Sequence, residues 1–318
     1  MTNNNRELVI RSINISREKG TIKKPVESSE ITKEGLKGDA HSGAWHRQVS
    51  MMSAESIRNF NEKEGRNIEF GEFAENITIE GMDLTGVDIF DRFRGENFEL
   101  EVTQIGKKCH GDGCAIYNEV GKCAMPKEGI FCRVLRTGNI QQGDKIEYIP
   151  ATIKAWVITL SDRVSKGIYE DKSGKMIAGA LEDYFSKTIK KLAIERKVIP
   201  DEPQQLSELI TKAKKENVDY IFTTGGTGIG SRDIVPETLT PFIDKELPGI
   251  MEMVRMKYGK DNPNALLSRS VAGVSGKTII YALPGSSKAV EEYLEVIAPT
   301  LLHSLFMLHD IDHHHAHG

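Results

Sequence analysis

The sequence lacks any apolar run long enough to cross a membrane, and residues 1–7 lack the apolar core of a secretion signal. A spanning helix needs about 20 consecutive apolar residues, so a cytoplasmic protein with no membrane partner is expected. An excess of positive charge is missing as well. The formal net charge of −4 over 318 residues disfavours a general nucleic-acid-binding protein, because such a protein must neutralise many phosphates.

Cysteine is also scarce. All four cysteines lie between Cys109 and Cys132, which is too clustered for a disulfide framework across the chain. The spacing contains no Cys-x2-Cys pair, and three interpretations stay open: structural metal ligands, a thiolate activated by neighbours such as Lys108 and His110, or buried structural cysteine. Burial is expected for Cys132, because it lies on the apolar face of the predicted strand 130–135.

Length and pattern indicate two domains, since 318 residues can form two separate cores. Up to Pro150, short apolar strands alternate with glycine turns, which predicts a mainly β domain built as a small closed barrel. Beyond it, strands alternate with longer amphipathic helices. That pattern is typical of a three-layer α/β domain with a mostly parallel sheet. The predicted domains are residues 1–150 and 151–318.

The element predictions follow from apolar periodicity and turn residues. The first domain is given strands at 8–16, 76–79, 89–93, 97–105, 130–135 and 144–149, and one helix at 54–64 capped by Ser53. Residues 17–34 are rich in charge and poor in apolar residues, and no helix or strand is predicted there. The second domain is given strands at 153–160, 192–199, 218–222 and 278–283. Its helices are expected from Pro203, at 241–246 and 249–258, and at 289–308 with a break at Pro299. A further helix is expected after Gly174, where the apolar residues at helical spacing are Met176, Ile177, Ala180, Leu181 and Tyr184.

A strand running into a glycine-rich loop organises the second domain. Residues 220–233 read YIFTTGGTGIGSRD, and glycine permits positive φ angles and close approach of a ligand to bare backbone. Pro236 marks the start of a helix. The loop lacks the lysine of a P-loop, and Ser231 stands where the dinucleotide fingerprint needs its third glycine. A phosphate site and a simple glycine-rich turn both stay open from this pattern.

Four polar loops are expected at the carboxyl edge of the parallel sheet, where ligands bind in such folds. They span residues 161–167, 200–202, 225–233 and 284–288. Their charged members are the cations Arg163, Lys166, Arg232 and Lys288 and the carboxylates Asp162, Asp201 and Asp233. Such a mixture suits a phosphorylated ligand with Mg²⁺, which takes one or two protein carboxylates and completes its shell with phosphate and water.

Several separate motifs of the second domain resemble the molybdopterin-binding family, and within it the MogA/MoaB-type molybdopterin adenylyltransferases. They are SDR (161–163), YEDKSG (169–174), PDE (200–202), TTGGTG (223–228), RD (232–233), LPG (247–249), LSR (267–269) and LPG (283–285). The resemblance covers residues 152–308. Residues 229–231 depart from the more basic stretch of the adenylyltransferases, and residues 284–288 resemble the MoaB branch.

The resemblance implies that molybdopterin reacts with MgATP on this domain, in a homotrimer. It implies two functional aspartates, Asp201 and Asp233, as catalytic residues and as Mg²⁺ ligands. The residues it implies for binding molybdopterin and ATP are Ser161, Asp162, Arg163, Thr224, Gly225, Gly226, Thr227, Gly228, Ser268, Arg269, Pro284, Gly285 and Ser286.

The first domain resembles a MOSC domain over residues 6–149. The motifs are GLKGDAH (35–41), RQVS (47–50), ENI (75–77), the cysteine segment and GNIQQGD (138–144). The resemblance implies a β-barrel that carries sulfur or molybdenum cofactor on one cysteine, and Cys114 matches that position best. It also suggests His41 and Arg47 as ligands of a pterin phosphate, although both could be ordinary surface loop residues.

Together the two halves predict a bifunctional protein of molybdenum cofactor biosynthesis that exchanges cofactor with other biosynthesis or acceptor proteins. Two alternatives stay open: a carrier that binds molybdopterin without turnover, and an interaction module stabilised by metal on the four cysteines. The histidine-rich residues 310–318 are assigned no function.

Overall fold

The computed structural model describes residues 7–107, 124–187 and 191–311. Contacts divide these residues into two compact units, one of residues 7–151 with 310–311 and the other Thr152–His309. Across the described ranges, every helix is too short or too polar to reach from one side of a lipid bilayer to the other.

The first unit is mainly β and confirms the predicted barrel. Eight of its strands form one sheet in the order β11-β7-β8-β9-β5-β6-β1-β2, and β1 also pairs with β11, which closes the sheet on itself. A second sheet has the order β10-β3-β4. The elements are β1 (Leu8–Ile15), β2 (Lys24–Val26), β3 (Ser28–Thr32), β4 (Gly35–Leu36), β5 (Val49–Ser53), α1 (Ala54–Glu64), β6 (Ile77–Glu80), β7 (Arg92–Arg94), β8 (Glu99–Ile105), α2 (Met125–Glu128), β9 (Ile130–Arg136), β10 (Gly138–Gln141) and β11 (Lys145–Ile149), with a 3-10 turn at Leu84–Gly86.

Inward-facing apolar side chains from these strands fill the barrel. Ile13, Leu100 and Cys132 are completely buried, and the Cys132 Sγ lies 3.7 Å from the Met51 Sδ. Burial of Cys132 is therefore confirmed. Helix α1 begins as predicted, because the Ser53 hydroxyl accepts a hydrogen bond from the Ser56 amide and satisfies a free donor of the first turn.

Two element predictions for the first unit were wrong. Residues 17–34 contain β2, whose exposed residues are Lys24 and Pro25, and β3, whose exposed residues are Ser28 and Glu30, so neither strand gave much apolar signal. The predicted strand 89–93 begins only at Arg92. Phe90 takes a φ of 71°, a left-handed conformation that no continuous strand can contain.

The second unit confirms the α/β prediction. Its sheet has the order β13-β12-β14-β17-β16-β15; β13, β12, β14 and β17 are mutually parallel, and β16 and β15 add antiparallel edges. The elements are β12 (Ile153–Leu160), α3 (Asp162–Ser165), α4 (Lys172–Ser186), β13 (Leu192–Ile199), α5 (Pro203–Lys215), β14 (Tyr220–Thr224), α6 (Val235–Leu239), β15 (Lys245–Glu246), α7 (Pro248–Tyr258), β16 (Ala272–Ser275), β17 (Thr278–Leu283), α8 (Ser287–Ile297) and α9 (Leu301–Leu308), with 3-10 turns at Thr240–Phe242, Pro263–Leu267 and Ala298–Thr300.

The register of the central strands positions the loops. Every residue of β14 is buried, as expected for a parallel strand covered on both faces. Thr224 at its carboxyl end pairs with Thr159 on one side and Leu283 on the other. The loops after β12, β14 and β17 therefore leave the sheet at one edge.

One helix prediction for the second unit needs correction. The predicted helix 241–246 is a 3-10 turn followed by β15, because the backbone of Asp244 and Leu247 bonds to β16 instead of continuing a helix. Met176 is 36% exposed and does not lie on the inner face of α4. The neighbouring Ile177 and Leu181 fill that face.

Candidate functional site

The loop that follows β14 has a backbone that only glycine can adopt. Gly225 has a φ of 103°, and a Cβ there would lie 2.2 Å from the Leu160 carbonyl oxygen. Gly226 has a φ of 61°, and its Cβ would lie 2.8 Å from the Val235 Cγ2. Side chains are therefore excluded at these two positions, where only the peptide backbone is present.

This loop forms one wall of a cavity of about 390 Å³. The opposite walls come from the loop after β17 and from the segment around the 3-10 turn Pro263–Leu267. The lining residues predicted from the sequence are Gly225, Gly226, Thr227, Gly228, Asp233, Ser268, Pro284, Gly285 and Ser286; those that the sequence did not suggest are Ile229, Val254, Asn262, Asn264, Ala265, Leu267, Ala289, Glu292 and Tyr293.

Asp233 closes the far end of the loop. Its Oδ2 accepts a hydrogen bond of 2.8 Å from the Gly230 amide, and its own amide donates to the Gly230 carbonyl at 3.0 Å. A Cβ on Gly228 would lie 2.7 Å from the same Oδ2. The carboxylate therefore lies against the glycine loop and in the cavity wall.

Asp201 flanks the loop near Gly226, away from the cavity lining. Its Oδ1 lies 3.8 Å from the position that a Cβ on Gly226 would take. Asp201 and Asp162 hold each other reciprocally, since the amide of each donates to the carboxylate of the other, at 3.1 and 3.2 Å. Burial raises the pKa of Asp201, whereas the hydrogen bond from Arg232, 2.5 Å long, lowers the pKa of Asp162.

Several other predicted residues serve the local structure. The Ser161 and Ser286 hydroxyls cap α3 and α8. Thr224 is fully buried and donates to the Pro284 carbonyl at 2.8 Å, which fastens the two loops together. The Arg163 guanidinium lies 5.7 Å from the centre of the Tyr169 ring.

Arg269 was predicted to bind the cofactor, but its guanidinium faces the glycine loop. Its Nε donates to the Gly228 carbonyl at 2.6 Å and its Nη2 to the Asp233 carbonyl at 2.7 Å. Its Nη1 forms an ion pair with Glu237. These contacts occupy all three nitrogens of the side chain.

The YEDKSG motif is explained by the start of α4 and lies outside the cavity. Asp171 accepts hydrogen bonds from the Gly174 amide at 2.8 Å and the Thr159 hydroxyl at 2.9 Å, and it pairs with Arg196 at 2.9 Å. A Cβ on Gly174 would lie 2.4 Å from the Asp171 carboxylate. The glycine is thus required by packing.

The acidic residues at the loop fit Mg²⁺ as a shared ligand set and not as a closed protein cage. Within residues 7–107, 124–187 and 191–311, no three or more His, Cys, Asp or Glu side chains form a metal-binding group. Mg²⁺ characteristically takes one or two carboxylates and completes its shell with phosphate oxygens and water. Asp233 and Asp201 are two carboxylates near the glycine loop, next to Gly228 and Gly226 respectively, and their number fits such a shared site.

In the first unit, the MOSC-like motifs meet at a buried ion pair. The Lys23 Nζ lies 2.6 and 2.7 Å from the two oxygens of Asp39, and both side chains are only 1% exposed. The His41 Nδ1 lies 3.7 Å from Asp39, and burial lowers the pKa of His41. Arg47 stacks on the Trp45 ring at 4.6 Å.

Glu75, from the ENI motif, lies beside this pair. It is fully buried and accepts hydrogen bonds from the Gly71 amide at 2.6 Å and the Thr78 hydroxyl at 2.9 Å. Burial raises its pKa to about 7. Cys109, His110, Cys114 and Cys123, and the histidines at 313–315 and 317, lie outside the described residues.

Comparison with known proteins agrees with this division. A model of the probable molybdopterin binding domain matches residues 156–303, and a MOSC domain model matches residues 38–147. The molybdopterin adenylyltransferase of Helicobacter pylori (strain J99) is 40% identical over 151 residues, which are 47% of this chain and 84% of that protein. The molybdenum cofactor biosynthesis bifunctional protein of Chlorobaculum tepidum is 35% identical over 164 residues, 51% of this chain and 49% of that protein. The solved Mog protein of Mycobacterium ulcerans is 34% identical, with a TM-score of 0.45 over 49% of this chain and 99% of that chain.

The second unit is thus an α/β domain with a glycine loop at the carboxyl edge of its parallel sheet, the edge at which ligands bind in such folds. The chain belongs to the MogA/MoaB-type molybdopterin-binding family and carries a MOSC domain in its first half. This membership connects it to molybdenum cofactor biosynthesis.

Proposed function

We propose that the unit Thr152–His309 is a molybdopterin adenylyltransferase. The terminal phosphate oxygen of molybdopterin attacks the α-phosphorus of ATP, a new P–O–P bond forms, and pyrophosphate leaves. The observation that carries the proposal is the cavity wall in which the glycine loop and Asp233 lie together. The name of the Helicobacter pylori relative, at 40% identity, supports the same reaction.

In this proposal, most of the catalysis comes from holding molybdopterin and ATP in position for the attack. Peptide groups at Gly225, Gly226 and Gly228 can approach the phosphates closely because these residues carry no side chain. Two polyanions must be held together for the attack, and preorganised donors lower the barrier more than flexible side chains would. The apolar side chains of Val254 and Leu267 line the same cavity and suit a ring system.

Asp233 and Asp201 would hold Mg²⁺, which when bound neutralises the charge that develops on the phosphates. Arg232 neutralises Asp162 through their ion pair. It thereby reduces the negative charge that faces an incoming phosphate from the loop after β12.

For the first unit we propose sulfur or cofactor transfer on a cysteine, with Cys114 as the carrier and His41 and Arg47 as phosphate ligands. Exchange with other molybdenum cofactor biosynthesis or acceptor proteins and assembly as a homotrimer belong to the same proposal. The buried Lys23–Asp39 pair supports it by fixing the loop that carries His41.

The test is pyrophosphate release from molybdopterin and MgATP by the whole chain and by Asp233→Asn and Asp201→Asn. Each substitution should lower kcat by about 100-fold or more, the scale for loss of a preorganised electrostatic group. Asp183→Asn is the matched control, because Asp183 is an exposed residue of α4 whose ion pair with Lys187 lies outside the lining of the cavity. Full activity of both Asp233→Asn and Asp201→Asn would show that neither carboxylate holds a metal ion needed for the reaction. Molybdopterin binding by the wild type without any pyrophosphate release would favour the carrier function.

A further inference from the structure

Arg269 connects parts of the second unit that are distant in sequence. It follows the 3-10 turn Pro263–Leu267 and precedes β16. Its backbone amide donates to the Thr227 carbonyl at 2.9 Å. Its side chain adds the bonds to the Gly228 and Asp233 carbonyls and the ion pair with Glu237 at the start of α6. One residue therefore holds both ends of the loop and the helix that follows it.

These bonds fix the direction in which the loop peptides point. In a planar trans peptide the N–H points opposite to the preceding carbonyl, and the described residues contain no cis peptide. Because the Thr227 and Gly228 carbonyls face Arg269, the amides of Gly228 and Ile229 face away from it. Both residues line the cavity.

We propose that Arg269 is a positioning residue that turns the Gly228 and Ile229 amides toward a ligand phosphate without contacting the ligand itself. This deepens the proposed function and rests on it. Arginine suits the task because its planar fork supplies several donors in a fixed geometry, which lysine cannot reproduce. Glu237 holds the fork from the other side, and its hydrogen bond with Arg269 lowers the pKa of Glu237.

The first experiment uses the unliganded full-length protein, so its result does not depend on the reaction. Hydrogen exchange of the Asp233 and Val235 amides is measured by NMR, because both are bonded within the loop, to Gly230 and Gly226. Arg269→Ala should raise these exchange rates about tenfold or more, the scale for hydrogen bonds to a charged group. Arg66→Ala, on an exposed arginine of the first unit, should leave them unchanged.

The second experiment measures binding of inorganic pyrophosphate by calorimetry and then turnover. Arg269→Ala should weaken pyrophosphate binding roughly 10- to 100-fold, and free guanidinium ion should restore part of the loss where ammonium does not. Glu237→Gln, which keeps the arginine, should shift both measurements in the same direction by a smaller factor. If Arg269→Ala does not fold, the two measurements on Glu237→Gln test the positioning role instead.

The outcomes separate the two proposals. Weaker pyrophosphate binding with unchanged exchange at Asp233 and Val235 would show that Arg269 contacts the ligand directly, and would overturn the inference. Unchanged binding and exchange would overturn it as well. A third outcome is that Arg269→Ala shows faster exchange and weaker pyrophosphate binding while the wild type releases no pyrophosphate from molybdopterin and MgATP. That combination would retain the positioning role of Arg269 and reject adenylyl transfer.

Discussion

The glycine loop of the second unit and the Lys23–Asp39 pair of the first are both polar, but they are built in opposite ways. The loop presents peptide groups, and its conformation depends on positive φ angles at Gly225 and Gly226. The pair consists of two full charges whose side chains are 1% exposed. The first arrangement is sensitive to an added methyl group, and the second to the loss of one charge. Three predictions test that contrast.

The largest effect is expected from Gly225→Ala. The new Cβ would lie 2.2 Å from the Leu160 carbonyl oxygen at a φ of 103°, so the loop must leave its position. We expect pyrophosphate release to fall by about 100-fold or more. Unfolding followed through Trp156 fluorescence in a Trp45→Phe background should show a cost of about 1–3 kcal/mol from backbone strain.

Gly179→Ala is the control for this substitution. Gly179 lies within α4, and a Cβ there would meet no atom within 4 Å. Alanine should stabilise the helix by up to about 1 kcal/mol and leave turnover unchanged. Equal loss of activity in Gly225→Ala and Gly179→Ala would show that an added methyl group harms the unit wherever it is placed. The glycine loop would then not be specially sensitive to it.

Lys23→Met should cost the first unit about 3–5 kcal/mol, because it leaves the Asp39 carboxylate buried without its partner. Burial opposes ionisation of Asp39, and the Lys23 hydrogen bond and charge outweigh it, so that the pKa of Asp39 is lowered. Urea unfolding followed by Trp45 fluorescence in a Trp156→Phe background measures the loss. Lys37→Met removes an exposed lysine paired with Glu30 and should leave the midpoint unchanged. A small effect of Lys23→Met would mean that water reaches Asp39.

Glu75→Gln should change how the stability of the first unit depends on pH. Burial raises the pKa of Glu75 to about 7 from its ordinary 4.5, so between these values the folded state holds a proton that the unfolded state releases. The contribution of Glu75 to wild-type stability should therefore be greatest below the lower value and fall by on the order of 3 kcal/mol as pH rises from 4.5 through about 7. The glutamine variant should lose that slope in the same urea assay. If the free energy of unfolding of the two proteins changes with pH in the same way, the raised pKa of Glu75 is contradicted.

Patterns local in sequence were enough to predict the fold class and many elements. Helix α1 with its Ser53 cap, and the strands Ile153–Leu160, Leu192–Ile199 and Thr278–Leu283, have the bounds expected from apolar runs between polar or proline boundaries. Strands with few apolar residues, such as Ser28–Thr32, were missed, because polar residues leave little apolar periodicity to detect.

The parts that could not be predicted depend on contacts between distant residues. Arg269 bonds to carbonyls 41 and 36 positions earlier, and no local pattern predicts contacts over such a separation. Lys23 stands in a charged stretch and resembled a surface lysine, yet it is buried against Asp39, 16 positions later. Tyr293 reaches the cavity from α8, where its hydroxyl donates to Ser268 at 2.9 Å.

The burial of Cys132 makes the protein a convenient subject for thiol labelling. This cysteine has no exposed surface, and burial raises the pKa of its thiol far above the usual range, so the nucleophilic thiolate is absent at neutral pH. Cys132 should therefore escape alkylation by iodoacetamide until the barrel unfolds. Any cysteine alkylated in the folded protein must then belong to Cys109, Cys114 or Cys123, and peptide mass mapping can assign the label among three candidates.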